Sequence, residues 1–510
     1  MHTTAEMKQT DVVVVGAGNA AICAALAARE AGAQVVVLER APEAEAGGNS
    51  FFTAGATRFV FNSVEELRDI IDVSEEEERT VDFGTYSTEN FFDDMGRVTQ
   101  YRADPDLLEV LVTRSRPTLA WMRRHGVRFE PMYGRQAVKF EGRFKFFGGQ
   151  VAAFWGGGAS LVKSLHDIAR KAGAAICYET PAVALIRERG RVLGVVAQAG
   201  DEQLEIRAGA TVLACGGFES NTEMRARYLG ANWDLAKVRG TRFNTGMGLE
   251  MALAAGARPC GHWSGAHAVG WDLNSPPYGD RAVGDGFQKH SYPLGIMVNA
   301  DGERFVDEGA DFRNYTYAKY GHEVLKQPQM FAWQVFDGKI VPLLRDEYRI
   351  RQVTKVDAET LEALAAKLEG VNAQRFLATV AEFNQAVRRD IPFNPNVRDG
   401  RCVTGLRVPK SNWANPLDTP PFQAYAVTCG VTFTFGGISI STKGAVQSVA
   451  GADIPGLYAA GEMVGGLFYF NYPSGTGLVS GAVFGRIAGS EAGAYAMHSN
   501  LRNVEPRKSD

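Results

Sequence analysis

Residues 11–39 read DVVVVGAGNAAICAALAAREAGAQVVVLE, and this stretch decides the fold. Val12, Val13, Val14 and Val15 form a continuous β-branched run, the pattern of a strand buried on both faces of a parallel sheet. The turn Gly16-Ala17-Gly18-Asn19-Ala20-Ala21 follows. Gly16 permits a tight bend, Gly18 lets the backbone approach a pyrophosphate, and Ala21 is small enough for helix and strand to pack closely. The spacing predicts a helix over 20–31, stopped by Gly32, with its positive end toward the phosphates. Val35 to Leu38 make the next strand. Glu39 then stands about 20 residues beyond the turn, where a carboxylate accepts hydrogen bonds from a ribose hydroxyl, with Arg40 beside it. A glycine turn alone is weak evidence. Strand, turn, helix, second strand and terminal acid together predict a dinucleotide site.

The totals bound the rest. A chain of 510 residues predicts two or more domains. A formal net charge of −4 gives no electrostatic reason to expect nucleic acid or a membrane surface as partner. The six cysteines are scattered with no CxxC pair, which excludes the usual zinc, haem-attachment and iron–sulfur patterns and fits reduced thiols. No metal site is expected. The first ten residues lack an apolar signal core, and no stretch reaches the ~18 apolar residues of a membrane span. The expectation is a cytoplasmic protein without direct membrane insertion.

Outward from the first turn, Gly47-Gly48-Asn49-Ser50 forms a second polar glycine turn. Residues 64–128 read as helical, interrupted near Pro117, and 159–172 as another helix. Strands follow at 175–178, at 182–187 with Val183 as a candidate cofactor contact, and at 192–198. The apolar strand 211–215 brings Ala214 to Gly216 and Gly217, where the sheet returns to the cofactor. After Gly261 the composition becomes rich in glycine, proline and aromatics, with helices expected over 357–369 and 372–388. These changes predict an α/β chain. A discontinuous Rossmann-like domain takes 1–262 and 421–510, and an inserted α+β capping domain takes 263–420. Near the C-terminus, IPGLYAAGE is a strand ending in Gly461-Glu462, and a helix over 477–496 starts at Gly477-Leu478. An acid at that place and a helix N-terminus aimed at the ring system point to FAD rather than NAD.

Nearly the whole chain resembles the flavoprotein-subunit family of succinate dehydrogenases and fumarate reductases. The resemblance rests on 16–39, GGNS at 47–50, 214–218, VNADGERFVDE at 298–308 and IPGLYAAGEMVGG at 454–466. Within that family the words GNAAICAALAAREAGA, WMRRHGVRF, GGFESN and RGTRFN are most similar to the tricarballylate dehydrogenase group. The resemblance implies FAD, a cap over the flavin, and hydride transfer between flavin N5 and a carbon next to an activating carboxylate or carbonyl. It also implies a separate iron–sulfur or membrane electron-transfer partner. Phe52 stands where the respiratory enzymes carry a covalent flavin, so FAD is expected to be non-covalent.

Residue by residue the likeness is uneven. His267 matches a substrate-binding histidine, and Arg313 lies one residue from the proton-transferring arginine. Phe433 replaces a second substrate histidine, Tyr472 a carboxylate-binding arginine, and Gln288 and Ser291 the Glu and Arg of the proton relay. Fumarate itself is therefore disfavoured. Phe52, Ala54 and Phe470 replace polar residues of the tricarballylate pattern, leaving Arg242, Arg313, Lys289 and protonated His267 or His290 as candidate cations for an anionic substrate. The word NYPSGTG at 471–477 is also similar to 3-ketosteroid dehydrogenases, in which a tyrosine hydroxyl and a glycine N–H polarise a ketone. An FAD protein of tRNA modification would need a basic face, of which the composition shows no sign. The expected reaction is α,β-desaturation next to a carboxylate or carbonyl, or its reverse. Arg313 suits the reductive direction as acid, and Tyr472 the oxidative one as base or polariser.

Overall fold

The computed structural model describes residues 9–498 except 141. Its centre is a parallel sheet in which the Gln9–Val15 strand lies between Val35–Leu38 and Glu202–Leu213. Asp453–Ala459 extends the sheet beyond Glu202–Leu213, and Ala175–Cys177 extends it beyond Val35–Leu38, both in parallel. Val12, Val13 and Val14 are wholly buried, as their unbroken β-branched run requires. The Asn19–Glu30 helix follows the first strand directly. Against it lies the long C-terminal helix, Thr476–His498. The two backbones touch because Gly485 and Gly489 face Ala20 and Ala24, and a Cβ on either glycine would overlap the opposing carbonyl oxygen.

The second sheet is built on one 17-residue strand, Phe422–Ile438. It pairs antiparallel with Pro259–Asp272, Ala332–Phe336 and Lys355–Ala358, and parallel with Lys237–Val238. The sequence boundary at 421 assigns this strand to the nucleotide domain, yet its ladder partners lie in the second sheet. An apolar strand rich in glycine reads alike in either place, because its sequence does not specify its partner. Local readings shift similarly. Lys355–Ala358 is a strand followed by a short helix, Leu361–Ala365, in place of one helix over 357–369. Pro117 sits inside an unbroken helix, Pro105–Arg124. Among the described residues no helix is long and apolar enough to cross a membrane.

Gly489→Val is expected to destabilise the fold by about 1–3 kcal/mol, the usual cost of overpacking. Thermal unfolding checks this, with the exposed substitution Val449→Thr as a control that leaves the midpoint unchanged.

Candidate active site

A single cleft runs between the two sheets, with a volume of about 1650 Å³ including its open mouth. At the nucleotide end, Gly16 has φ of 102°, and a Cβ there would press on the Ala214 carbonyl. Only glycine fits. Glu39 accepts from the backbone N–H groups of Ala17 (3.0 Å) and Ala41 (2.8 Å), and burial pushes its carboxyl upward. The Asn19 amide donates to Ser50 Oγ (3.0 Å), which ties the first glycine turn to the second. The Asn19 side chain donates to the Leu478 carbonyl (2.8 Å), so the N-terminal turns of both long helices meet at the cleft. Gly18, Ala20, Arg40, Gly47, Gly48, Asn49, Gly216, Gly461, Glu462 and Gly477 complete this wall. Burial pushes Glu462 up to about 7, opposed by hydrogen bonds from Glu219 and Thr434. Two expected contacts fall elsewhere. Gly217 lies behind Glu462, whose carboxylate a Cβ there would strike, and Pro181 and Ala182 line the cleft where Val183 was expected.

The other end of the cleft is cationic. Arg135, Arg239 and Arg313 line it with Asp285, Gln288 and His290, and Arg345 stands just behind. Arg239 is buried, donating to Asp285 Oδ1 (2.7 Å) and Thr432 Oγ1 (3.2 Å). Arg135 lies 4.0 Å from Asp285 Oδ2, an oxygen with no hydrogen-bond donor. Arg313 donates to Gln136 and Asn314, while its Nε has no partner. Arg345 donates to the Arg135 carbonyl, and burial together with Arg313 pushes it down to about 9. Four guanidiniums thus meet two carboxylates, Asp285 and the buried Glu347 that acts on Arg345. Arg239 is buried and the other three are part-exposed, so water screens the excess of positive charge only in part and an anion would complete it.

Arg239 and Arg135 escape the sequence reading, while two of its expected cations lie away from the cleft. Arg242 is half exposed and paired with Glu45 (2.7 Å). The cause is local: the Arg239 amide donates to Val431, continuing the Lys237–Val238 pairing and keeping this residue inside, whereas Arg242 belongs to the loop beyond. Lys289 is spent on Asp272 (3.7 Å) and on backbone carbonyls. Ser291 binds Tyr348 and Arg345 instead of facing the cleft. Arg239 shares the RGTR word with Arg242, so burial alternation was the available signal; Arg135 carries none.

Between the two ends lies an aromatic wall. Tyr472 Oη meets His267 Nδ1 at 3.0 Å and receives a hydrogen bond from Tyr317 (3.4 Å). Burial pushes the Tyr472 hydroxyl well up, and burial with Arg239 nearby pushes His267 well down, so both are neutral. Phe433 and Phe52 line the cleft, and Phe468 backs Tyr472. Phe51 lies outside, beneath the Arg281 guanidinium.

A family model described as "FAD binding domain" matches residues 11–478. The chain belongs to this FAD-binding family. A probable fumarate reductase, Ifc3, of Shewanella frigidimarina (strain NCIMB 400) is 29% identical over 500 residues, covering 96% of this chain and 75% of the relative. The open conformation of a flavocytochrome c3 fumarate reductase superposes with a TM-score of 0.71 at 26% identity, over 96% of this chain and 79% of that one. A 3-ketosteroid-Δ4-(5α)-dehydrogenase from Rhodococcus jostii RHA1 superposes with a TM-score of 0.67 at 25% identity, over 95% and 97%. The protein is an FAD-dependent oxidoreductase of the fumarate reductase/succinate dehydrogenase family, acting on C=C bonds.

The nucleotide end suits FAD. The glycine turns leave room where Cβ atoms would project, Glu39 offers a buried acceptor, and two helix N-termini supply partial positive charge. In this flavoprotein Tyr472→Phe is expected to keep the FAD absorbance and lose about a hundredfold in kcat, within the range for one removed electrostatic donor. Stopped-flow reduction compared with FAD content checks it, and unchanged turnover removes Tyr472 from the chemistry.

Proposed function

We propose that this flavoprotein desaturates the C–C bond α,β to a carboxylate of a small polycarboxylate, or reduces it in reverse, in the manner of tricarballylate dehydrogenases. The observation that carries the reading is the excess of guanidiniums over carboxylates at the substrate end of the cleft, with Arg239 buried and Arg135 part-exposed. Arg135, Arg239 and Arg313 approach from three separate segments, so they can hold carboxylates that diverge from one carbon skeleton.

FAD, when bound, supplies the two-electron hydride acceptor or donor. The chain's own residues do the rest. Tyr472, held neutral, donates its hydroxyl hydrogen to the carboxylate oxygen that gathers charge as the α carbon becomes enolate-like. Its raised hydroxyl makes it a polariser rather than a base. His267 fixes the hydroxyl's direction from behind. Phe52, Phe433 and Met132 exclude water from the reacting carbons, which strengthens each polar contact. Electrons would pass to or from a separate iron–sulfur or membrane-bound carrier, as the resemblance to tricarballylate dehydrogenases implies.

A second reading, oxidation of a cyclic ketone, draws on the place of Tyr472 beside Gly477, where a Cβ would lie 3.8 Å from the hydroxyl. A ketone would leave the guanidiniums uncompensated, which favours the carboxylate.

Anaerobic titration of the oxidised flavin band separates the two. Tricarballylate is expected to bleach it and a 3-oxosteroid to leave it unchanged; the opposite result overturns the carboxylate reading. Arg239→Gln is expected to raise KM for the carboxylate by about 30-fold or more, matching the 2 kcal/mol or more lost when a buried charged partner is removed. FAD content measured alongside distinguishes this from misfolding.

A further inference from the structure

At the nucleotide wall two carboxyl groups meet with no cation bonded to either. Glu462 lines the cleft, and Glu219, wholly buried, lies within hydrogen-bonding reach of it. Among the described residues neither has an ion-pair partner. Arg225 is the guanidinium that acts on Glu219, and it donates instead to the carbonyls of Ala236 (2.7 Å) and Asp234 (3.1 Å). Tyr472, which Glu462 acts on, is neutral. Two carboxyl groups sharing one buried place cannot both ionise, because like charges out of water repel strongly.

The hydrogen bonds show where the proton stays. Glu462 Oε1 accepts from the Thr434 amide (2.6 Å) and hydroxyl (3.0 Å), and the Gly217 amide donates to the same carboxylate. Donors of this kind stabilise the ionised form. Gly217 makes the approach possible, since a Cβ there would strike both Glu462 and Thr434 Oγ1. Glu219 is served differently. Its Oε1 accepts from Asn49 Nδ2 (2.5 Å) and Asn244 Nδ2 (2.6 Å), which fills both lone pairs of a carbonyl oxygen, whereas Oε2 receives no donor. Oε2 is therefore the oxygen free to carry a hydrogen toward Glu462. Burial and the Glu462 charge both push the Glu219 carboxyl well up.

We infer that Glu219 is a neutral carboxylic acid that donates from Oε2 to Glu462, holding the Glu462 carboxylate ionised and turned to the cleft as an acceptor for the hydroxyls of FAD. Glu219 is thus a positioning residue for the cofactor, acting through Glu462. It also fixes the second glycine turn. Asn49 Nδ2 donates to the Thr432 carbonyl (2.6 Å) as well as to Glu219, and Asn49 Oδ1 accepts from the Thr241 amide (2.8 Å). Thr432 in turn accepts from Arg239, so one buried acid braces both ends of the cleft. The assignment holds whichever substrate the cleft takes.

The test uses the FAD-loaded protein at neutral pH. Its infrared spectrum is expected to contain a carboxylic-acid C=O band that shifts in heavy water and is missing from Glu219→Gln, whose amide keeps a donor in place. The FAD dissociation constant of Glu219→Gln should stay within about threefold of wild type, while that of Glu219→Ala rises about tenfold or more, as loss of a hydrogen bond to a charged acceptor implies. Thermal unfolding of Glu219→Ala at saturating FAD separates weaker binding from misfolding, and if that variant does not fold, the infrared comparison decides alone. Wild-type and Glu219→Gln spectra that do not differ by an acid band overturn the assignment. So does Glu219→Gln binding FAD as weakly as Glu219→Ala, or an acid band that persists in Glu219→Gln and vanishes in Glu462→Gln.

Discussion

The contact between the Asn19–Glu30 and Thr476–His498 helices is the constraint on which the rest depends. It joins segments from opposite ends of the chain at backbone distance, which small residues alone permit. Through it the Gly16–Gly18 turn and the Gly461–Gly477 region face the same space. Side chains at Gly485 or Gly489 would push the helices apart and separate the two halves of the nucleotide wall. Here packing density directly sets the geometry of the site.

The second sheet performs the matching task at the substrate end. The Phe422–Ile438 strand holds Pro259–Asp272 on one edge along much of its length and other strands elsewhere, so His267, Thr432 and Phe433 share one rigid frame. Short helical turns and connections supply the charged groups. Arg135 comes from the short helix Tyr133–Gln136, Arg313 from the turn Arg313–Tyr315 and Arg345 from the connection before Asp346–Tyr348, short segments fixed by the stable scaffold.

What was legible in the sequence follows from this division. The nucleotide wall depends on backbone requirements, and Gly16, Gly18, Gly47 and Glu39 announce those requirements locally through turn chemistry and spacing. The first helix, expected over 20–31, is Asn19–Glu30. The substrate end depends on which side chain of a loop points inward, and that follows from distant partners. Arg239 and Arg242 are three residues apart in one word, and only the pairing beside Val431 tells them apart. Arg135 has no motif at all. The membership of the Phe422–Ile438 strand was hidden for the same reason, since an apolar strand does not name its neighbours.

The guanidinium excess also concerns the protein's persistence as a folded chain. Repulsion among Arg135, Arg239, Arg313 and Arg345 arises only in the native state, where folding brings them together. An anion seated among them binds the native chain and not the unfolded one, and so adds RT ln(1 + [L]/Kd) to its stability, about 2.7 kcal/mol at a hundredfold excess over Kd. If the proposed carboxylate is that anion, substrate supply and survival of the enzyme are linked: a cell rich in it would hold more intact enzyme without making more of it.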